Sequence, residues 1–478
     1  MVRPREGRKS HLMAVPDSRD ELRSFLAAAG RGRGRGPRRD AVVGYELRIE
    51  LGGVTPTVWR CVVVPSTTML DELHDVVQDA MGWVDSHLHE WRTAADASAP
   101  AAERYGMRLV VDEGDHPIDA CESDVRIDEV LAERGDTLYY EYDFGDRWEH
   151  RVVLAHVVDA VPTPLCLDGE RACPPEDCGG VPGYEHLRAV LGDPRHPDHE
   201  ALRTWAGDDF DPDLFDLDAA SAALTARAEI RRHSPPRGTA LAALLARIPA
   251  LYAPSLYALL LRARLSSDDE RVELPARDAE GMTLLAWLLR RTGADGVPLT
   301  SSGYLSPAVV AEAREVLGPR YAWAGKSTRE LDNPTVLAIR ELAQDLGLVR
   351  KYRGKLVCTK RAAGPRSDPD ALVDYIAARL PLGADEFERE AGLMMLLSVA
   401  ADADGEEQRR AMLEAATALG WRMGDGEPLT AKDAVAAAGS NRRILHHLGV
   451  DLGFGTMPER RPAVVRELAR RALRGPSR

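Results

Sequence analysis

No stretch of this sequence approaches the roughly 18 consecutive apolar residues that a membrane span needs, and the Arg-rich, polar start has no signal-peptide core. The expectation is a cytoplasmic protein with no membrane partner. Cysteine is scarce, six in 478 residues, and no two of them form the C-x₂-C pair of zinc ribbons and fingers. A disulfide framework is therefore excluded in favour of core thiols or metal ligands. There is no Walker A loop, no dinucleotide glycine fingerprint and no nucleophile elbow, which removes the common nucleotide-binding and α/β-hydrolase classes. No fixed repeat period runs through the chain, so a solenoid is not expected. Net positive charge is lacking too. The formal balance is −14, which disfavours nucleic-acid binding by the molecule as a whole.

What is present is apolar content of 44%, ordinary for globular cores, and length for two to four domains at roughly 100–200 residues each. Positive charge is concentrated at the start, in the run Arg31-Gly-Arg-Gly-Arg-Gly-Pro-Arg-Arg39. Residues 1–41 read as a basic, disordered tail that either solubilises the chain or tethers it to nucleic acid through counterion release.

From residue 42 the pattern changes to α+β. Tyr45, Leu47, Ile49 and Leu51 alternate with polar residues, the period of a half-buried strand. Val58–Val64 follows beyond a Gly-Gly turn and predicts the second strand of a hairpin. The stripe Leu70, Leu73, Val76, Val77, Ala80, Met81 predicts a helix, with Thr68 as its cap and Gly82 as its stop. A second hairpin is expected around Asp143-Phe-Gly-Asp146, flanked by the alternating Leu138–Tyr142 and Trp148–Leu154. Residues 225–238, ending in Ser-Pro-Pro-Arg-Gly, read as a linker. The region 239–478 then reads as mostly helical: Leu241–Ala263, Leu284–Arg291, Pro307–Leu317, Ala371–Leu380, Glu386–Val399, Gln408–Leu419 and Ala463–Leu473. Within it, about residues 326–361, an amphipathic helix, a glycine and two short strands around Arg353-Gly354 give a winged-helix-like pattern. The fold class expected is thus an α+β module of two hairpins plus helices, followed by a helical region with a winged-helix-like segment.

Several separated motifs occur in a set order: Pro56-Thr-Val-Trp-Arg60, Met81-Gly-Trp83 with His87-Leu-His89, Tyr140 through His150, Cys173-Pro-Pro-Glu-Asp-Cys-Gly-Gly180, Tyr184 and Gly207-Asp-Asp-Phe-Asp-Pro212. Together they resemble the plasmid pRiA4b ORF-3-like family over about residues 42–224. The resemblance implies an α+β fold and a mobile-element context, and it carries no settled activity. The helical half lies outside it.

Three groups of side chains offer chemistry. Cys166, Cys173 and Cys178, amid prolines and glycines, are expected on an irregular loop that zinc could organise, with His87, His89 or His150 as the fourth donor; the other reading is reduced core thiols. Asp143, Asp146, Glu149 and His150 could act as general acid and base or hold a divalent ion. Strand alternation instead turns His150 toward Trp148 and Val152, and aspartates at a hairpin corner serve Asx turns. His87 and His89 share a face if they lie on a strand. The winged segment carries Arg350, Lys351, Arg353 and Lys355, suited to DNA phosphates, with Arg340 or Gln344 on the helix within reach of base edges; exposed lysines that block strand-edge pairing are the plainer reading. The function expected is a non-enzymatic binding protein associated with DNA or mobile elements. A metal-dependent hydrolase or nuclease and a protein–protein scaffold are the alternatives.

Overall fold

The computed structural model describes residues 34–95, 102–107, 118–248, 252–266, 280–293, 295–318, 326–449 and 461–475. They fall into two compact units, Met1–Ala228 and Glu229–Arg478.

The first unit is built on a mixed sheet. Strand β1 (Gly44–Leu51) buries Tyr45, Leu47, Ile49 and Leu51 and pairs antiparallel with β2 (Trp59–Pro65), Leu47 opposite Val62. This is the hairpin expected from the alternation. Helix α1 (Leu70–Met81) buries the expected stripe. Its cap falls on Met69, one residue after Thr68, where Glu72 reaches back to the Met69 N–H at 3.0 Å. Gly82, at φ 89°, ends it in the left-handed region that glycine enters freely. Then come β3 (His89–Arg92), β4 (Arg104–Gly106), β5 (Ala120–Cys121), the short α2 (Ile127–Val130), β6 (Thr137–Tyr142), β7 (Trp148–Val158) and β8 (Leu165–Glu170). Helices α3 (Gly180–Leu191), α4 (His199–Ala206) and α5 (Leu217–His233) follow. The strand order is β5-β4-β3-β6-β7-β1-β2-β8, antiparallel except where β4 meets β5. Trp91, Tyr140, Tyr142 and Trp148 fill the core beside the α1 stripe.

The end of the basic run packs against this unit. Arg35 and Arg38 both reach Glu129 on α2, at 2.8 and 3.2 Å, and the Arg39 Nε donates to the Tyr45 hydroxyl at 2.6 Å. These guanidiniums, assigned by sequence to a disordered tail, are therefore spoken for. Residues 1–33 lie outside the described residues.

The second unit is mainly helical. Helix α5 runs on to His233, so 225–233 of the expected linker is regular and the irregular stretch begins at Ser234. Its described elements are α6 (Ala240–Leu245), α7 (Pro254–Ala263), α8 (Glu280–Thr292), β9 (Val297–Pro298), α9 (Pro307–Leu317), α10 (Pro334–Asp345), β10 (Val349–Tyr352), β11 (Lys355–Cys358), α11 (Ala363–Ser367) and α12 (Pro369–Ala377). Then follow α13 (Glu386–Ala400), α14 (Gly405–Ala418), α15 (Ala431–Ala437), α16 (Gly439–Gly449) and α17 (Ala463–Arg474). The span 241–263, expected as one helix, contains two, with Pro254 opening the second. Helix α13 is buried on every side from Glu390 to Ala400, the mark of a central helix. Strands β10, β11 and β9 form a small sheet in that order. Among the described residues no helix is long and apolar enough to cross a membrane.

Candidate metal centre

The β6–β7 turn builds the first wall of the site. Asp143 adopts φ 59°, and its Oδ1 accepts from the Gly145 and Asp146 N–H groups at 2.8 and 3.3 Å. This is the Asx turn expected for such a corner. It commits one carboxylate oxygen and leaves Oδ2 facing His87 Nε2 at 3.6 Å.

The second wall is the segment between α1 and β3. Asp85 sits at φ 57°, and the Ser86 N–H donates to the Tyr142 hydroxyl at 2.9 Å, which brings His87 over the end of β6. The third wall is the Cys173–Gly179 loop. Trp83 Nε1 donates to the Pro174 carbonyl at 2.9 Å and the Gly179 N–H to Asp146 Oδ2 at 3.0 Å. The loop folds so tightly that a Cβ on Gly183 would lie 1.9 Å from the Cys178 carbonyl. Held this way, the loop points Glu176 Oε2 and Asp177 Oδ1 at His87 Nε2, at 3.4 and 3.3 Å. Glu176 is itself fixed by the Val84 N–H at 2.8 Å, the Tyr142 hydroxyl at 3.0 Å and the Ser86 hydroxyl.

One imidazole nitrogen thus faces three carboxylates. It is shielded from solvent and makes no hydrogen bond. Its three neighbours lie beyond the roughly 2.7–3.2 Å of an N–H···O bond. His87, Asp143 and Asp177 each bring one donor atom within 4.8 Å of the others, and Glu176 stands outside that set; donors about 2.1 Å from a tetrahedral ion lie roughly 3.4 Å from each other. Asp177 is 76% exposed, so the cluster opens to solvent on that side.

A second group of donors, His74, Asp85 and His89, is differently arranged. The two rings stack at 3.6 Å with 8° between their planes. Imidazole lone pairs lie in the ring plane, so parallel rings cannot aim at one ion. His74 meets Asp85 at 3.0 Å and the Tyr140 hydroxyl at 2.7 Å, and His89 Nε2 meets Glu122 at 2.8 Å, while the buried His89 Nδ1 makes no hydrogen bond. His87 and His89 therefore do not share a face; His87 precedes β3, and His89 begins it and turns inward.

The other sequence candidates part company. Asp146 secures the Cys173–Gly179 loop. His150 lies on the inner face of β7 with Trp148 and Val152, as alternation indicated, and sits edge-on to Trp83. Burial pulls its pKa down to about 4. The unfolded chain takes up this proton first, near pH 6.5, so stability is whole above that value and falls as pH drops toward 4. Between pH 7 and pH 5 we expect His150 to cost the first unit about 2 kcal/mol. Urea unfolding across that range should show the loss in the native chain and a flatter profile in His150→Phe.

The thiols do not converge. Cys166 lies in β8, opposite Val62, and not on an irregular loop. Cys173 is in the core, and Cys178 is half-buried with its pKa pushed up by burial to about 12. Among the described residues, no group of metal donors that approach one another includes a sulfur. Cys173→Ser should therefore destabilise the unit by about 1–3 kcal/mol, through a buried hydroxyl without a proper partner, and leave any cation affinity unchanged. Melting curves and calorimetry on the same variant check both halves. Glu176 and Asp177 are what sequence reading missed. They sit between Cys173 and Cys178, where the thiols are the more conspicuous donors.

In the second unit, Arg350, Lys351, Arg353 and Lys355 are all exposed on β10, β11 and their turn. Arg340 is not available to bases: it is 3% exposed, and its Nε lies 2.6 Å from the buried Glu330.

The family model for plasmid pRiA4b ORF-3-like protein matches residues 43–219. An uncharacterized protein of Sinorhizobium fredii is 38% identical over 179 residues, 37% of this chain and 84% of its own length. A crystal structure of a protein of unknown function from Methanosarcina mazei Go1 is 35% identical, covering 37% of this chain and 97% of that one, with a TM-score of 0.33.

Proposed function

Because this chain belongs to the plasmid pRiA4b ORF-3-like family through a stretch that contains His87, Asp143, Glu176 and Asp177, we propose that its first unit is a divalent-cation-binding module. The ion would be held by His87, Asp143 and Asp177, with Glu176 beside His87. The observation that carries this reading is the buried His87 Nε2, unbonded and ringed by three carboxylates. The donor set is one imidazole and two carboxylates, harder than the thiolate set expected from the cysteines, and suits Mn²⁺, Mg²⁺ or Zn²⁺. On the Asp177 side the ion would keep a position for water or an anionic ligand. Cation-dependent ligand binding would be the primary role, and an ion held there would also supply a polarised water for hydrolysis. Calorimetric titration of the full-length, chelator-treated protein with MnCl₂, MgCl₂ and ZnCl₂ is the test. Saturable binding of one ion is expected. No heat from any of the three, or equal heat in His87→Ala, would overturn the reading.

A second reading concerns the second unit and rests on a different observation. The order α8, β9, α9, α10, β10, β11, with β11 between β10 and β9, suits a winged helix, and the hairpin presents exposed cations around an exposed Tyr352. This supports contact with nucleic-acid phosphates.

A further inference from the structure

We infer that the second unit meets nucleic-acid phosphates with the outer face and tip of the β10–β11 hairpin, and not with helix α10; the inference rests on the nucleic-acid reading above. The strand register decides which side chains act together. Arg350 stands opposite Val357 and Tyr352 opposite Lys355, whereas Lys351 stands opposite the buried Leu356. Side chains alternate along a strand and match across a pair. Arg350, Tyr352 and Lys355 therefore share the outer face, and Lys351 belongs to the inner one. Arg353, at φ 47°, and Gly354, at φ 75°, make the turn. The Arg350 and Arg353 guanidiniums lie 4.7 and 5.1 Å from the Tyr352 ring, which is 45% exposed. The tip is thus an aromatic side chain flanked by two guanidiniums, with Lys355 beside it. Among the described ion pairs none uses Arg350, Arg353 or Lys355; Lys355 Nζ donates to the main-chain carbonyl of Asp295 at 3.2 Å, which leaves its charge without a carboxylate.

Helix α10 offers the opposite. Its arginine, Arg340, is consumed by Glu330 and Gln344. Its exposed charges are Glu341 and Asp345. Both line a polar recess with Ser302, Tyr304, Arg340, Gln344 and Lys351, so the one hairpin cation on the inner face shares its recess with two carboxylates. Carboxylates laid against a phosphate backbone repel it, whereas exposed guanidiniums and an ammonium release counterions on contact. Of the four cations read from the sequence, three are placed to bind phosphate and Lys351 is not. Phosphate contacts carry no base information, so the expected binding ignores sequence. Duplex DNA and duplex RNA share the ligand chemistry.

The experiment is a salt titration of fluorescence anisotropy on the full-length protein, with short random-sequence DNA and RNA duplexes in separate arms. Residues 1–33 are kept in every variant, so their contribution is common to all. The triple variant Arg350→Gln, Arg353→Gln, Lys355→Gln should lower the slope of log affinity against log salt by about 2.7, roughly 0.9 for each lost cation. At about 0.1 M salt it should bind more than roughly tenfold more weakly. Lys351→Gln alone, and Glu341→Gln with Asp345→Asn, should each stay within about threefold of the intact chain. Intact protein that binds neither duplex at low salt would overturn the nucleic-acid reading and this inference together. Binding that survives the triple variant, or that responds to the α10 variant instead, would overturn the inference and leave the reading standing. Binding in only one arm names the nucleic acid.

Discussion

Replacing Glu330 by alanine should destabilise the second unit by about 3–5 kcal/mol, the range for removing one partner of a buried ion pair. The Glu330 side chain is fully buried and Arg340 is 4% exposed. Glu330 accepts from Arg340 Nε at 2.6 Å and from the Leu305 N–H at 2.5 Å, tying the segment before α10 to the strand–helix junction ahead of α9. Alanine strands a guanidinium in the core and an N–H beside it. Glu330→Leu combined with Arg340→Met should recover most of the loss, because paired charges are replaced by packing. Urea unfolding followed by the helical circular dichroism signal measures both. A loss below about 1 kcal/mol for the single variant would mean that Arg340 escapes to water when released, and would return it to the surface of α10 as a candidate for base contact.

The second large effect concerns the cation cluster. Even residues that merely orient a metal ligand cost about 10–100-fold in affinity when removed. His87→Ala and Asp143→Asn, which remove or weaken donors, should therefore each exceed about 100-fold. The two differ in their side effects. Asp143 Oδ1 also closes the Asx turn through Gly145 and Asp146, and asparagine keeps that acceptor, so Asp143→Asn should lose the ion with little change in the melting of the metal-free protein. Glu176→Gln should show an intermediate loss, since Glu176 is held by Val84, Ser86 and Tyr142 whether or not it carries charge. Affinities that fall equally for all three, in step with their melting temperatures, would point to a merely structural cluster.

How much of this was legible in the sequence depends on the length and period of each element. β1, β2, β6 and β7 each alternate over enough residues to be read, and the Asp143–Asp146 turn announces itself by residue type. β3 does not: His89-Glu-Trp-Arg92 is four residues long and buried throughout despite three charged or titratable side chains. Its burial comes from neighbours on both sides, Glu90 and Arg92 pairing with Arg104, Glu141 and Glu149, and no single-strand pattern records that. β8 was hidden by the glycine and prolines around it, so Cys166 was read as loop. The site was half visible. His87 and Asp143 stand out separately by donor chemistry, but only the fold of the Cys173–Gly179 loop, turned by Gly179 at φ 91° and by Asp177 at φ 59°, brings Glu176 and Asp177 to them. The cations of the hairpin stand out in the sequence; their division into two faces needs the register, and the burial of Arg340 needs Glu330, ten residues away.

The most direct test of the cation centre is anomalous diffraction from crystals of the full-length protein grown with MnCl₂. A manganese peak is expected among His87 Nε2 and the carboxylates of Asp143 and Asp177, about 2.0–2.2 Å from each donor it touches. A His87 ring hydrogen-bonded to one of these carboxylates at about 2.8 Å, with manganese absent from the cluster, would contradict it.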